Sequence, residues 1–193
     1  MKIENISHKI DGYDLKSTVY VWDNFLSQEL SDFYDEKIFC DTNWRYMNQV
    51  NAEYCQHTLW GKSYTKNRPD YIDRLIFYIE EMSGLIIFKP DYIGLNGQTK
   101  HMNACPHQDC SLSDSEKSVS FLYYVGCGDA DGDLIFYENN YKNNTCYPGK
   151  ELNRIEFVKN RLIIMDGHKM HSADGPSKDT LRMSFVYRGF YVS

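Results

Sequence analysis

The chain has 193 residues, 42% of them hydrophobic and 25% charged, with a formal net charge of −6. That is enough chain to bury one core of ordinary composition, without the apolar run of about eighteen residues that a membrane-crossing helix needs or the overall basic footprint of a nucleic-acid binder. Met1-Lys2-Ile3-Glu4-Asn5 lacks the charged-then-apolar pattern of a secretion signal, so a cytoplasmic location, no membrane partner and six reduced cysteines are expected.

No repeat, low-complexity stretch or Pro/Gly-rich linker divides the sequence. Residues 1–193 therefore read as one domain, with helix-and-strand support over about 1–90 and a β core over about 85–193. Thr18 to Trp22 is β-branched and aromatic, which predicts a strand. Ser27 is placed to cap a helix, with Glu29 in its first turn and Leu30, Phe33, Tyr34 and Ile38 at helical spacing. Thr42 to Asn67 has weak periodicity and many polar residues, and reads as a long loop suited to covering a substrate. A second helix is expected from Asp70, after Pro69. It carries Ile72, Leu75, Ile76, Ile79 and Met82 on one face, and Gly84 stops it.

From Leu85 the pattern changes to short strands at Leu85–Phe88, Tyr92–Leu95, Thr99–Ala104, Ser118–Val125, Asp133–Tyr137, Arg154–Val158, Arg161–Met165 and Thr180–Val192. Glycines punctuate them. Such a series suits a jelly roll, a double-stranded β-helix with flanking helices, rather than a parallel α/β sheet.

Within that β region, His107-Gln108-Asp109 is followed by His171 and then Arg182-Met183-Ser184. Residues two apart on an extended segment point to the same side. His107 and Asp109 can thus reach one metal while Gln108 turns away, and His171 arrives from another strand. Two imidazoles and one carboxylate on adjacent positions are the protein ligands of a non-haem Fe(II) site that leaves other positions open. His168 competes with His171 for the distal place; the spacing to Arg182 favours His171. His57 and His101 have no partner at useful spacing.

Arg182, Ser184, Val186 and Arg188 alternate on one face of the last strand, with Leu181, Met183, Phe185 and Tyr187 on the other. An arginine on a strand buried on both faces suits a planar carboxylate held by two parallel hydrogen bonds. Ser184 adds a hydroxyl. This is what the distal carboxylate of 2-oxoglutarate would need.

The stretch from about Asn96 to Phe190 resembles the 2-oxoglutarate/Fe(II)-dependent dioxygenase superfamily, and its prolyl 4-hydroxylase-like branch in particular. The resemblance rests on Ser118-Val-Ser-Phe-Leu-Tyr-Tyr-Val125, on Gly132-Asp-Leu-Ile-Phe-Tyr137, on Asn160-Arg-Leu-Ile-Ile-Met-Asp-Gly167 before His171, and on Arg182-x-Ser184. It implies that His107, Asp109 and His171 hold Fe(II). It further implies that Arg182, Ser184 and Tyr124 bind 2-oxoglutarate, with Asn96 nearby, and that dioxygen is the second cosubstrate, with ascorbate as a supporting reductant. The implied activity is hydroxylation of an unactivated carbon, with a prolyl or other protein side chain as first substrate and a free amino acid or small metabolite next. Arg188 departs from this branch. Nucleic-acid demethylases of the AlkB type carry a second arginine at that spacing, which keeps a methylated nucleobase as a further alternative. A non-catalytic jelly-roll binding module is the alternative of another class.

Two other motifs carry less. Cys105-Pro-His107-Gln-Asp109-Cys110 lacks the second Cys/His pair of a zinc knuckle. Asp129-Ala-Asp131-Gly-Asp133 has glycine and asparagine where a calcium loop needs other residues, and reads as a hairpin turn.

Overall fold

Alternating burial organises the strands into two sheets that face each other. The computed structural model describes residues 1–41, 43–51, 55–110, 117–126, 129–143 and 145–192, and the side chains of these other than 41, 47–51, 55–58 and 192. In chain order the elements are β1 (Lys2–Ile6), β2 (Thr18–Trp22), α1 (Gln28–Asp41), β3 (Arg45–Asn51), β4 (Cys55–Ser63), α2 (Asp70–Ser83), β5 (Ile86–Gln98), β6 (Ser118–Val125), β7 (Leu134–Lys142), β8 (Thr145–Ile155), β9 (Leu162–Met165), β10 (His171–Ala173) and β11 (Arg182–Val192). The larger sheet runs β1-β2-β9-β6-β11-β5-β4-β3, and the smaller β10-β7-β8. From β6 onward the chain passes from large sheet to small and back, and then repeats the excursion. That is the winding of a jelly roll.

Each face of the large sheet buries a different set of residues. Val119, Phe121, Tyr123 and Val125 of β6 and Met183, Phe185 and Tyr187 of β11 meet Tyr34 and Ile38 of α1 and Ile72, Leu75 and Ile79 of α2. Leu122 and Tyr124 of β6 face the opposite way, toward Leu134 and Phe136 of β7, Ile155 and Phe157. The period of two along β6 thus sends odd residues to the helices and even ones between the sheets. Truncating Phe185, which is fully buried, to alanine costs about 3–5 kcal/mol in such a core.

The helices begin and end as their sequences direct. Ser27 Oγ accepts from Leu30 N–H at the start of α1. Gly84 closes α2 at φ 75°, with its N–H on Glu80 O, a left-handed cap that suits glycine.

Several expectations need correction. Thr99–Ala104 is not a strand: Met102 N–H bonds back to Thr99 O and His101 sits at φ 69°, because the chain must turn here from the large sheet toward the small. The segment read as a covering loop holds β3 and β4, an antiparallel pair that extends the large sheet through β4 and β5. Its polar residues lie at the margin of the large sheet. β8 begins well before Arg154 and carries Pro148; as an edge strand of its sheet it tolerates proline. β1 and the three-residue β10 are too weak as patterns to be seen. Residues 129–133 link β6 to β7 across the two sheets, so they form a crossover rather than a hairpin turn. The cysteines depart from expectation as well. Cys40, Cys110 and Cys146 are free thiols, but Cys105 is disulfide-bonded. An expected compartment says nothing of which sulfurs the fold brings into contact. Cys127 lies outside the described residues.

Candidate functional site

A cavity of about 150 Å³ lies between the sheets. Its floor is the even face of β11: Arg182, Ser184, Val186 and Arg188. Gln98 and Asn96 of β5 stand opposite Arg182 and Ser184. Tyr124, Leu122 and Ser120 of β6 stand opposite Ser184, Val186 and Arg188. Register alone therefore converges the polar residues of three strands. The volume is below the roughly 300–1,000 Å³ of sites for drug-sized ligands and suits a small diacid.

His107 and His171 meet through a two-way backbone pair, each N–H on the other's carbonyl oxygen at 2.8 and 2.9 Å. Only His107 is in strand pairing on that side. Asp109 lies past it in a bend, placed by its own N–H, which shares Gly167 O with Cys110 N–H. The same-side arrangement of His107 and Asp109 thus comes from two backbone anchors and not from a continuous strand. Ligand atoms of His107, Asp109 and His171 all lie within 4.8 Å of one another. The two Nε2 atoms are 3.8 and 3.9 Å from the two oxygens of Asp109, and the rings are 4.5 Å apart.

The outer nitrogen of each ring is committed. His107 Nδ1 lies 2.8 Å from Cys105 O and His171 Nδ1 lies 2.9 Å from Lys169 O. A carbonyl oxygen only accepts, so Nδ1 carries the proton in both rings. The Nε2 lone pairs are left facing Asp109, as metal-binding histidines require. Burial, followed by the neighbouring His171, lowers His107 to about 4, which keeps it neutral and able to ligate at neutral pH. Two ligand atoms on one small divalent ion sit roughly 3 Å apart, so closing on an ion needs shifts of under about 1 Å. The donor set fits a divalent metal with open positions.

Asp109 has a second partner. Ser120 Oγ donates to Oδ2 at 2.7 Å, and Arg188 Nη1 donates to Oδ1. Arg188 Nε is 3.2 Å from Asp91 Oδ2, and its guanidinium lies over the Tyr92 ring at 5.3 Å. Burial alone would raise the Asp109 carboxyl. Arg188, then His171 and His107, outweigh that and hold it well below the usual carboxylate range.

Arg182 is 1% exposed. Its Nε donates to Gly132 O at 3.0 Å, Nη1 to Gln98 Oε1 at 2.9 Å and Nη2 to Tyr124 Oη at 3.2 Å. Of its five N–H groups, one on each Nη is left, the pair that can grip a carboxylate bidentately. Gln98 is itself held, its amide donating to Met102 O and Ala173 O. Phe157 flanks the guanidinium at 5.2 Å. Burial raises the Tyr124 phenol more than Arg182 lowers it, so it keeps a proton to donate. Gly132 is at φ 108°, and a Cβ there would lie 2.4 Å from Asp174 O, so only glycine lets its carbonyl reach Arg182. Ser184 Oγ and the Asn96 amide have no partner among the described residues.

His168 turns away from the cavity, its Nδ1 2.9 Å from Asp166 and 3.0 Å from Ser118 Oγ. His101 is exposed, and the side chain of His57 lies outside the described residues. Gln98, Gly132, Ser120 and Phe157 were invisible as site residues. Each acts through a contact with a residue distant in the chain, and only the strand register (Arg182 opposite Gln98) could have pointed to one of them.

No family model matches the chain, and no curated protein matches it by sequence. Solved structures do share its fold. A Trichoplax adhaerens prolyl hydroxylase, solved with a hypoxia-inducible factor peptide fragment, is 13% identical, with 90% of this chain and 82% of that one covered at a TM-score of 0.62. A Pseudomonas putida prolyl-4-hydroxylase is 15% identical over 91% of this chain and 92% of that one, TM-score 0.60. An epimerase of nogalamycin biosynthesis, in complex with Fe3+, alpha-ketoglutarate and nogalamycin RO, is 11% identical over 88% of this chain and 77% of that one, TM-score 0.62. The chain has the jelly-roll fold of the 2-oxoglutarate/Fe(II) oxygenases.

Proposed function

We propose that the protein is an Fe(II)- and 2-oxoglutarate-dependent dioxygenase that hydroxylates an unactivated carbon, with a prolyl or other peptide side chain as its substrate. The observation that carries this reading is the meeting of His107, Asp109 and His171 within 4.8 Å, in the same cavity as a buried arginine with two N–H groups to spare. Iron with 2-oxoglutarate supplies the oxidant: dioxygen is consumed, 2-oxoglutarate becomes succinate and CO2, and one oxygen atom is inserted into the substrate C–H bond.

The chain's own residues do the rest. His107 and His171 offer Nε2 atoms on rings fixed by backbone carbonyls, and Asp109 offers a carboxylate kept ionised by Arg188. Arg182 takes the distal carboxylate of 2-oxoglutarate, while the Tyr124 phenol and the Ser184 hydroxyl donate to it. The apolar walls, Leu122, Leu134 and Val186, keep water from the reacting atoms. Arg188 is engaged by Asp109 and Asp91, so its presence does not call for a nucleobase substrate.

Purified protein with Fe(II), ascorbate and 2-oxoglutarate should release succinate, and His107→Ala or Asp109→Ala should abolish the release. Equal silence of wild type and variants, with a ligand still bound, would favour a binding module. Incubation with proline-containing peptides, free amino acids and methylated oligonucleotides, read by mass spectrometry, separates a gain of one oxygen from loss of a methyl group.

A further inference from the structure

The turn at residues 166–170 supports two of the three proposed ligands. Gly167 O accepts from Asp109 N–H at 2.9 Å, and Lys169 O lies 2.9 Å from His171 Nδ1. His168 O accepts from the amides of Gln108 and Asn139. All of these are inward contacts made by carbonyls. The side chains of Asp166, His168 and Lys169 in the same turn line a second, larger cavity of about 720 Å³ that shares no lining residue with the first.

That outer cavity is walled by Lys16, Lys117 and Lys169, by His168, and by Tyr137 and Tyr141 among others. Its carboxylates are occupied within the fold. Asp166 takes Ser118 and His168, Asp14 takes the hydroxyl and N–H of Ser17, and Glu138 takes Lys150 N–H. The half-buried Lys169 ammonium has one hydrogen bond, to Lys16 O at 2.7 Å; Asp166 and Asp14 attract it through space, but it forms no salt bridge among the described residues. The Lys16 ammonium is likewise without a partner among them. Ammonium groups are compact point charges without the fork that fits a planar carboxylate. They suit an anion with oxygens in several directions.

We propose that the outer cavity binds a phosphate-class oxyanion between Lys16 and Lys169, and that its binding tightens metal binding at His107, Asp109 and His171 through the 166–170 turn. An anion gripping Lys169 fixes the residue whose carbonyl orients the His171 ring, and the carbonyl on Asp109 N–H lies two residues earlier in the same turn. Ordering that turn beforehand removes part of what the metal must otherwise organise. Linkage is reciprocal, so the metal must tighten the anion by the same factor. The coupling rests on the metal reading above, whereas anion binding by the metal-free protein does not, and the two are measured apart.

The test is calorimetric titration of the metal-free full chain with inorganic phosphate, at ionic strength held constant with chloride, for wild type, Lys16→Glu and Lys169→Met. Saturable binding by wild type, weakened at least about tenfold in both variants, is expected. A Co(II) titration is then run with and without sulfate, an anion that competes little for the metal. Co(II) affinity should rise roughly fivefold or more with sulfate in wild type, and stay unchanged in Lys16→Glu, whose side chain is exposed and whose fold is kept. No phosphate binding by wild type, binding equal in all three proteins, or Co(II) affinity indifferent to sulfate would overturn the proposal.

Discussion

Replacing Arg188 with methionine tests the electrostatics of the site. Asp109 is 6% exposed in its side chain and Arg188 23%. The substitution keeps much of the apolar stem but leaves a buried carboxylate facing only Ser120 and the two imidazoles. Breaking a buried ion pair costs about 3–5 kcal/mol, and the partial exposure of Arg188 places this case near 2–3 kcal/mol. A divalent ion supplies the missing positive charge at the same carboxylate. In wild type the guanidinium and the ion, roughly 5 Å apart, repel by about 2 kcal/mol even at the dielectric of water and by more inside a protein. The variant should therefore lose stability when metal-free, bind Co(II) at least about tenfold more tightly than wild type, and regain most of the lost stability when Co(II) saturates it. Urea unfolding with and without Co(II) measures both. A metal-free change within about 0.5 kcal/mol, or an identical Co(II) response in both proteins, would refute the reasoning.

Gly132→Ala should cost about 2 kcal/mol or more through backbone strain. It should also weaken 2-oxoglutarate binding while leaving Co(II) affinity near wild type, as calorimetry would show. His171→Ala should lose Co(II) binding by more than about a hundredfold, and His168→Ala by far less, since the latter ring faces the outer cavity. Metal-free stability should fall as pH drops. His107 is lowered from 6.5 to about 4, so between those values the unfolded chain binds the extra proton and stability rises with pH, by roughly 3 kcal/mol at most from this group. Below that window Asp109, depressed by Arg188 and the histidines, contributes a further loss. Urea midpoints from pH 7 to pH 4 check the slope, and its absence in His107→Ala assigns it.

The sequence made the jelly roll and the candidate trio His107, Asp109 and His171 legible because both write themselves in local spacing: period two along β6 and β11, His-x-Asp on a short segment, and caps at Ser27 and Gly84. What it concealed depends on partners far along the chain. β3 and β4 carry little periodic pattern, so the pairing of β3 with β4 and of β4 with β5 does not show. Gln98 looks like any strand glutamine until the register sets it against Arg182. Arg188 reads as an anomaly until the fold brings its guanidinium onto Asp109. The disulfide at Cys105 is of the same kind, a matter of proximity and not of composition.

The most direct test of the metal site with its deeper arginine is anaerobic calorimetric titration with Fe(II), followed by 2-oxoglutarate, in wild type, Asp109→Ala and Arg182→Met. One Fe(II) per wild-type chain is expected, with 2-oxoglutarate binding only after iron. Asp109→Ala should lose the iron, and Arg182→Met should keep it while losing most of its affinity for 2-oxoglutarate. Iron binding that survives Asp109→Ala, or 2-oxoglutarate binding indifferent to Arg182, would contradict it.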